Sequence, residues 1–461
     1  MAIDLGLVAR YLVLRRQLRS RERWSPDRLH LHQRDALRQL RAHAMAQSPF
    51  YRRFHAGLED RPLVELPVLT KAELMANFDD LVTDRDIRLV DIETHLRQIA
   101  GDDRFRGRYR VVSTSGTTGL QGIFLSDPAE WAHVIASYAR AQEWAGIVPS
   151  LRHPVRLAVV STTKPWHQSA RVGASVRSPL APTIRLDATD PMSQTVEQLN
   201  AFQPASLVAY ASMHRLLAEE QLAGRLRVTP QAVMSASEVL TADTRQHISD
   251  AWGIKPFDVY AATEAAGIAS ECEQHAGLHL YEDLVITEVV DENNDPVPPG
   301  VAGAKILASV LFSRTQPLIR YELSDSVVPT DRCCPCGRTF GLIAGVQGRR
   351  EDIIHLPSGD GRTVSIHPNV FHDVLDRVQA GEWQIVQDAG DIRLLVARPG
   401  ADFDGAAVLA QIARALEASG AEVRGLSWTE VEAIPRTGTG KAPLVRAVAA
   451  RPVGAGSHAP L

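Results

Sequence analysis

Cysteine is scarce in this chain: there are four in 461 residues, at Cys272, Cys333, Cys334 and Cys336. So few exclude a disulfide-stapled scaffold, which needs dense pairing to replace a core. An excess of positive charge is also missing. The formal net charge is -4, so no broad basic field is on offer to nucleic acid. Long apolar runs are absent. The opening stretch Met1–Arg10 is short and interrupted, and reads as neither signal peptide nor membrane span. Arg15, Arg16, Arg19, Arg21 and Arg23 follow, alternating with apolar residues as on a solvated amphipathic helix rather than a membrane anchor. The expectation is a cytoplasmic protein with no nucleic-acid or membrane partner. Two common nucleotide signatures are absent as well, the Walker loop G-x-x-x-x-G-K-[ST] and the dinucleotide fingerprint G-x-G-x-x-G.

What is present divides the chain. Its length calls for two or three domains rather than one core. Residues 1–80 read as mainly helical, with apolar residues at three- and four-residue spacing from Leu31 to Met45 and a capping box at Thr70 and Glu73. From 108 to about 330, short apolar runs alternate with amphipathic stretches. Val155–Ser161, Ser206–Tyr210, Ala232–Ser235 and Phe257–Tyr260 read as strands with helices between them. This predicts layered α/β architecture around a largely parallel sheet. Leu284–Val290, Gly303–Ser309 and Leu318–Tyr321 read instead as a small antiparallel β portion, separated by Asn293-Asn294-Asp295 and Pro298-Pro299-Gly300 turns. The pattern restarts after Gly348. We expect an N-terminal α/β domain over 1–348, a hinge at 349–351, and a small mobile α+β C-terminal lid over 352–449. In the lid, strands are expected near 353–356, 384–388 and 391–397 and helices near 368–379 and 405–418. A flexible Gly/Ala/Pro/Ser-rich tail, 450–461, follows.

Two glycine-rich stretches point to chemistry. Arg108–Val112 reads as a strand delivering Ser113-Thr114-Ser115-Gly116-Thr117-Thr118-Gly119. Glycines let successive N–H groups converge and hydroxyls add donors, which makes a nest for phosphate. The same composition also suits a plain surface loop. Far along the chain, Lys441 ends Pro435-Arg436-Thr437-Gly438-Thr439-Gly440-Lys441, a stretch with little side-chain bulk. Between them, Phe257–Glu264 reads as a strand ending in small residues with a carboxylate at its tip, and Tyr321–Asp325 ends on an aspartate able to grip a sugar diol. A loop of donors and a lysine on a separate lobe suggest an enzyme that uses ATP.

The cysteines need a local explanation. Cys272, His279, Cys334 and Cys336 offer three thiolates and an imidazole, a tetrahedral donor set for a structural Zn²⁺. Cys333 competes through a C-x-x-C with Cys336, His275 competes with His279, and free buried thiols are the plain alternative.

Taken in order, Ser113–Gly119, Phe257–Glu264, Tyr321–Asp325, Gly348–Asp352 and Lys441 resemble the motif set of the adenylate-forming superfamily: acyl-CoA synthetases, peptide-synthetase adenylation domains and firefly-type luciferases. Ser48-Pro49-Phe50-Tyr51, Leu66–Lys71, Glu271-Cys272 with Gly277-Leu278-His279, and Cys334-Pro335-Cys336-Gly337-Arg338 resemble the branch of phenylacetate–CoA ligases and coenzyme F390 synthetase-like proteins. The resemblance implies residue roles. Ser113, Ser115, Gly116, Thr117, Thr118 and Gly119 would cradle the β- and γ-phosphates of ATP. Ser235, Ala236, Ser237 and Glu238 would line the adenine, with Tyr260, Ala261 and Ala262 completing that site. Thr263 would meet the α-phosphate and Glu264 a Mg²⁺ ion. Asp325 would bind the ribose hydroxyls with support from Arg349, and the lid would turn about Glu351. Lys441 would bridge the substrate carboxylate and the α-phosphate. The family's C-P-C-G-R and G-L-H stretches favour Cys272, His279, Cys334 and Cys336 as the zinc set. Two departures stand out: Leu120-Gln121-Gly122 follows the phosphate loop where lysine or proline is frequent, and Glu351 replaces the usual aspartate.

The implied activity is ATP-dependent activation of a carboxylic acid, aromatic by resemblance, as an acyl-AMP. The acyl group would then pass to a thiol, either coenzyme A or the phosphopantetheine arm of an acyl carrier protein. Tyr138, Trp144, Ala209, Tyr210 and Ser212 are candidate acid-pocket residues. Two rivals share the ATP site: nucleotidyl transfer to a phenol, and amide formation from the acyl-adenylate. A nucleotide-binding sensor has no need of Lys441, Glu264 and Asp325. Trp166 and His167 are expected on an exposed loop, and Glu282-Asp283 in a structural turn. A dimer is a reasonable expectation.

Overall fold

The computed structural model describes residues 4–114, 120–176, 178–349, 352, 354–359, 362–366, 369–375, 382–388, 391–400, 403–423 and 425–448. The chain forms two compact units, Met1–Gln347 with Gly438–Lys441, and Gly348–Thr437 with Ala442–Leu461. The segment that ends in Lys441 is thus grouped with the first.

The first unit opens with helices Leu5–Arg21 and Pro26–Gln47, started by the side-chain caps of Asp4 and Ser25. The capping box forms as the sequence predicts: Thr70 Oγ1 accepts from Glu73 N at 3.2 Å, and Glu73 Oε2 accepts from Thr70 N at 3.1 Å. Its centre is a nine-stranded sheet. From one edge the order is Asp325–Thr330, Leu342–Arg349, Leu278–Leu280, Ala266–Glu271, Phe257–Ala262, Ala232–Ala236, Ser206–Ala209, Leu157–Ser161 and Thr183–Asp187. The last five run parallel to one another. Helices join them, so both faces are covered and the strands are rich in apolar residues. Ala158, Val160, Leu207 and Val233 are fully buried there. After Phe257–Ala262 the chain reverses, and Ala266–Glu271 and Leu278–Leu280 pair antiparallel.

A separate antiparallel sheet holds Val285–Val290, Lys305–Val310 and Tyr321–Leu323. Its last strand begins at Tyr321, not at Leu318 as the apolar run suggests. Arg320 lies at φ 48. Its guanidinium donates to Val64 O and Leu66 O and pairs with Glu288, so the backbone bends where the strand was expected.

The second unit contains a hairpin of Ile354–Pro357 and Thr363–Ile366. Its four-stranded sheet runs Leu426–Val431, Asp391–Ala397, Glu382–Asp388 and Val445–Val448. Helices Asn369–Leu375 and Gly405–Ala418 contribute Phe371, Ile412 and Leu416 to a core shared with Ile385 and Leu394. The expected α+β character holds, with three strands beyond those the sequence suggests, Thr363–Ile366, Leu426–Val431 and Val445–Val448. The hinge residue Glu351 and the tail 450–461 lie outside the described residues.

Candidate functional site

The parallel strands Leu157–Ser161, Ser206–Ala209, Ala232–Ala236 and Phe257–Ala262 end on one edge of the sheet. In open α/β sheets that carboxyl edge is where ligands bind. Ser235 to Glu238, Tyr260 to Glu264, and Tyr210 with Ser212 lie at or just beyond these strand ends.

Ser235 is buried, and the chain turns sharply just beyond it, with Ser237 at φ 69 in the left-handed region. Glu238 Oε2 accepts from Ser212 N at 2.9 Å, tying the turn after Ala232–Ala236 to the first turn of the helix Ala211–Leu222, which follows Ser206–Ala209. One strand further on, Tyr260 Oη donates to Asp325 Oδ2 at 2.9 Å, and both residues are buried. Ala261, Ala262, Thr263 and Glu264 follow at the half-buried tip of the strand. Tyr321 Oη faces Glu264 Oε1 at 3.5 Å. Burial, reinforced by the Glu264 carboxylate, pushes the Tyr321 phenol well above its usual range.

Gln168, which carries no motif, joins this region. It accepts from Tyr138 Oη at 2.7 Å and donates to Thr263 O at 3.1 Å. A cleft beside it is lined by Phe124, Glu130, Gln168, Thr263, Glu264 and Phe312.

The strand Arg110–Ser113 pairs with Ile123–Ser126, and between them Thr114 Oγ1 accepts from Gly122 N at 2.8 Å. These contacts join the two segments that flank residues 115–119 in the chain. Ser113 is buried, and its N–H donates to Trp166 O at 2.9 Å. Ser115, Gly116, Thr117, Thr118 and Gly119 lie outside the described residues.

Lys441 Nζ lies 5.6 Å from the centroid of the Tyr210 ring, within reach of a cation–π contact. Gly440, at φ +82, passes so close to Ala188 that an added Cβ would sit 2.7 Å from its Cβ; only glycine fits. Tyr210 is buried, its hydroxyl accepts from Thr162 N at 2.9 Å, and burial raises its pKa to about 12. His167 is half-buried rather than on an exposed loop. Burial first, then Lys441 and Lys164, lower its pKa to about 4, so it is neutral at pH 7. Arg349 is exposed, and its N–H donates to Asp352 Oδ2 at 3.2 Å.

Trp144 does not join Tyr138 and Tyr210. It packs edge-on against His279 and Tyr281 with the Arg338 guanidinium over its ring, beside the cysteine cluster. There, donor atoms of Cys272, His279, Cys334 and Cys336 lie within 4.8 Å of one another. Cys272 Sγ is 3.6 Å from Cys334 Sγ, and Cys336 Sγ is 3.3 Å from His279 Nε2. His279 Nδ1 faces Phe340 O at 3.3 Å. Donation there leaves Nε2 bare and aimed at the sulfurs, the tautomer a metal requires. Three soft sulfurs and one imidazole nitrogen fit zinc. The competitors lie elsewhere: Cys333 is exposed, and His275 Nδ1 sits 3.1 Å from Glu271 Oε2. Asp283 is structural, gripped by Arg140 at 2.8 and 2.9 Å. No helix among the described residues is long and apolar enough to cross a membrane.

No family model matches the chain. A phenylacetate–coenzyme A ligase of Thermus thermophilus is 26% identical over 374 residues, covering 76% of this chain and 75% of that protein. A solved 2-hydroxyisobutyryl-CoA ligase, bound to 2-HIB-AMP in its postadenylation state, superposes with a TM-score of 0.72 at 21% identity, covering 94% of this chain and 91% of the other. The same ligase with 2-HIB-AMP and CoA, in its thioesterification state, gives 0.60 at 21% identity over 93% and 92% of the two chains.

Proposed function

The chain belongs to the adenylate-forming superfamily, and we propose that it joins a carboxylic acid to a thiol at the expense of ATP. In the first step a carboxylate oxygen of the acid attacks the α-phosphorus. Pyrophosphate leaves, and an acyl-AMP remains. In the second, a thiolate attacks the acyl carbonyl and AMP departs with the electron pair of the broken C–O bond.

This chain's residues divide the work. Tyr260 orients Asp325, whose carboxylate would accept from the ribose hydroxyls. Ser235 to Glu238 bound the adenine, with the Glu238–Ser212 bond fixing the turn. Thr263 and the loop from Ser113 to Gly119 supply donors to the phosphates. Glu264 would hold Mg²⁺, which neutralises phosphate charge when bound. Lys441 supplies a fixed cation where negative charge builds on the oxygens between carbon and phosphorus. In the second step the hinge at Glu351 would let the lid swing and withdraw Lys441. Cys272, His279, Cys334 and Cys336 would hold zinc with every position filled by protein, which makes it a staple and not a catalyst. Coenzyme A is the acceptor we favour, since a solved relative of similar fold holds it. An aromatic acid is favoured by kinship with a phenylacetate ligase.

The observation that carries this reading is the Tyr260–Asp325 bond on the edge that also carries Thr263 and Glu264. The decisive measurement is acid-dependent exchange of labelled pyrophosphate into ATP across a panel of aryl and alkyl acids, followed by thioester formation with coenzyme A. Exchange with no acid would overturn the proposal. Pyrophosphate release driven by a phenol would replace it with nucleotidyl transfer.

A further inference from the structure

A guanidinium without a carboxylate partner stands at the same sheet edge. Arg185 comes from the outer strand Thr183–Asp187, where it pairs with Val159. Its stem crosses the helix Gln168–Ser175 at Gly173, where an added Cβ would lie 2.4 Å from Nη1 and 2.5 Å from Cδ. Glycine inside a helix is unfavourable relative to alanine; here its bare Cα is what admits the arginine. Nη2 reaches Ser161 Oγ at 3.4 Å and Thr162 O at 3.5 Å, both long for a charged donor. Among the described residues, no carboxylate forms an ion pair with Arg185.

Among the described residues, four of the five buried arginines of this unit meet a carboxylate, and the fifth, Arg171, donates to Gly101 O and Asp103 O. Arg110 pairs with Asp102, Arg140 with Asp283, Arg215 with Asp243, and Arg320 with Glu288. A half-buried charge left without its counter-charge is costly unless a ligand completes it. Tyr210 connects Arg185 to the reaction centre. Its phenol lies close enough to bear on the Arg185 guanidinium, and Lys441 Nζ lies 5.6 Å from the centroid of the same ring. The Arg185 strand lies two strands outward from Ser206–Ala209, which leads into Tyr210, a spacing of about 10 Å.

We propose that the acid activated here carries a second carboxylate, gripped by the Arg185 fork, while its first meets Lys441 and its carbon frame lies along Tyr210. A planar guanidinium matches a carboxylate in two parallel hydrogen bonds, which sets both the length and the polarity of the acid. This assignment rests on the ligase reading above and names its substrate class.

The test is pyrophosphate exchange by the full chain with matched acids, each diacid set against the analogue ending in methyl, in aliphatic and para-substituted aromatic series. The expected result is a kcat/KM for the best diacid about tenfold or more above its partner. In Arg185→Gln that ratio falls to near unity through KM, and Arg185→Lys keeps part of it. Gly173→Ala, which crowds the same guanidinium from the helix side, lowers the ratio as well, and melting temperatures report that each variant is folded. Exchange that persists with an unchanged ratio in the folded Arg185→Gln and Gly173→Ala proteins would overturn the second-carboxylate assignment and leave the ligase reading standing. Exchange with neither series would overturn both.

Discussion

The phenol of Tyr260 donates a 2.9 Å hydrogen bond to Asp325, linking the tip of the strand Phe257–Ala262 to the first residue of the strand Asp325–Thr330. Sixty-five positions separate the two in the chain, yet the bond fixes the orientation of the carboxylate that we propose meets the ribose hydroxyls. Hydrogen bonds to a charged group contribute roughly 1.5–3 kcal/mol. Tyr260→Phe should therefore raise the KM for ATP by about ten- to a hundredfold in pyrophosphate exchange, with little change in the KM for the acid. An unaltered ATP dependence would remove Asp325 from the ribose site.

Lys441→Ala removes the one ammonium group assigned to the transition state. Loss of a preorganised charge of this kind costs about 10² to 10³ in rate. Exchange should fall by that factor while binding of a fluorescent ATP analogue persists. Full exchange in the variant would assign the charge stabilisation to another group.

Metal analysis of the purified chain should return about one zinc per molecule. Cys336→Ser should lower that content and the melting temperature together, because the remaining ligands lose a thiolate within 3.3 Å of the imidazole. Cys333→Ser, at an exposed position, should change neither. Equal zinc in both variants would refute the four-ligand site.

Acid sensitivity has an identifiable source in His214. It is fully buried, Nε2 contacts Met234 O at 2.9 Å, and burial lowers its pKa to about 4. The folded protein keeps this imidazole neutral, whereas the unfolded chain protonates it below about pH 6.5. Stability is therefore lost as pH falls from 6.5 towards 4, by up to roughly 3 kcal/mol from this residue. His214→Gln can still donate to Met234 O, and its melting temperature should fall less steeply than that of the natural chain between pH 7 and pH 5. Parallel curves for the two proteins would show that the proton uptake lies elsewhere.

The legible parts of the fold share a physical cause. Leu157–Ser161, Ser206–Ala209 and Ala232–Ala236 are covered on both faces, so apolar residues crowd each one and the run announces a strand. Thr183–Asp187 is an edge strand that mixes Thr, Arg and Asp with Ile and Leu, and nothing in that pattern separates it from a loop. Arg185 was hidden for the same reason. Tyr260, Glu264 and Asp325 stand out as candidates because each lies at or near a strand end within an ordered motif set. Gln168 could not be, because its role depends on Tyr138 and Thr263 arriving on either side of it from distant segments. Trp144 misled because an aromatic near the end of a helix suits an acid pocket and a metal cluster equally well; only packing decides.

Ser237 keeps a Cβ in a left-handed turn, a conformation about 1 kcal/mol less favourable for it than for glycine. Heat hardening by random substitution should therefore recover Ser237→Gly early, as one of the cheapest ways to relax the backbone. Screening such libraries by turnover should discard the same change, because it also deletes a hydroxyl from the rim of the proposed adenine pocket. Robustness and activity pull this position in opposite directions.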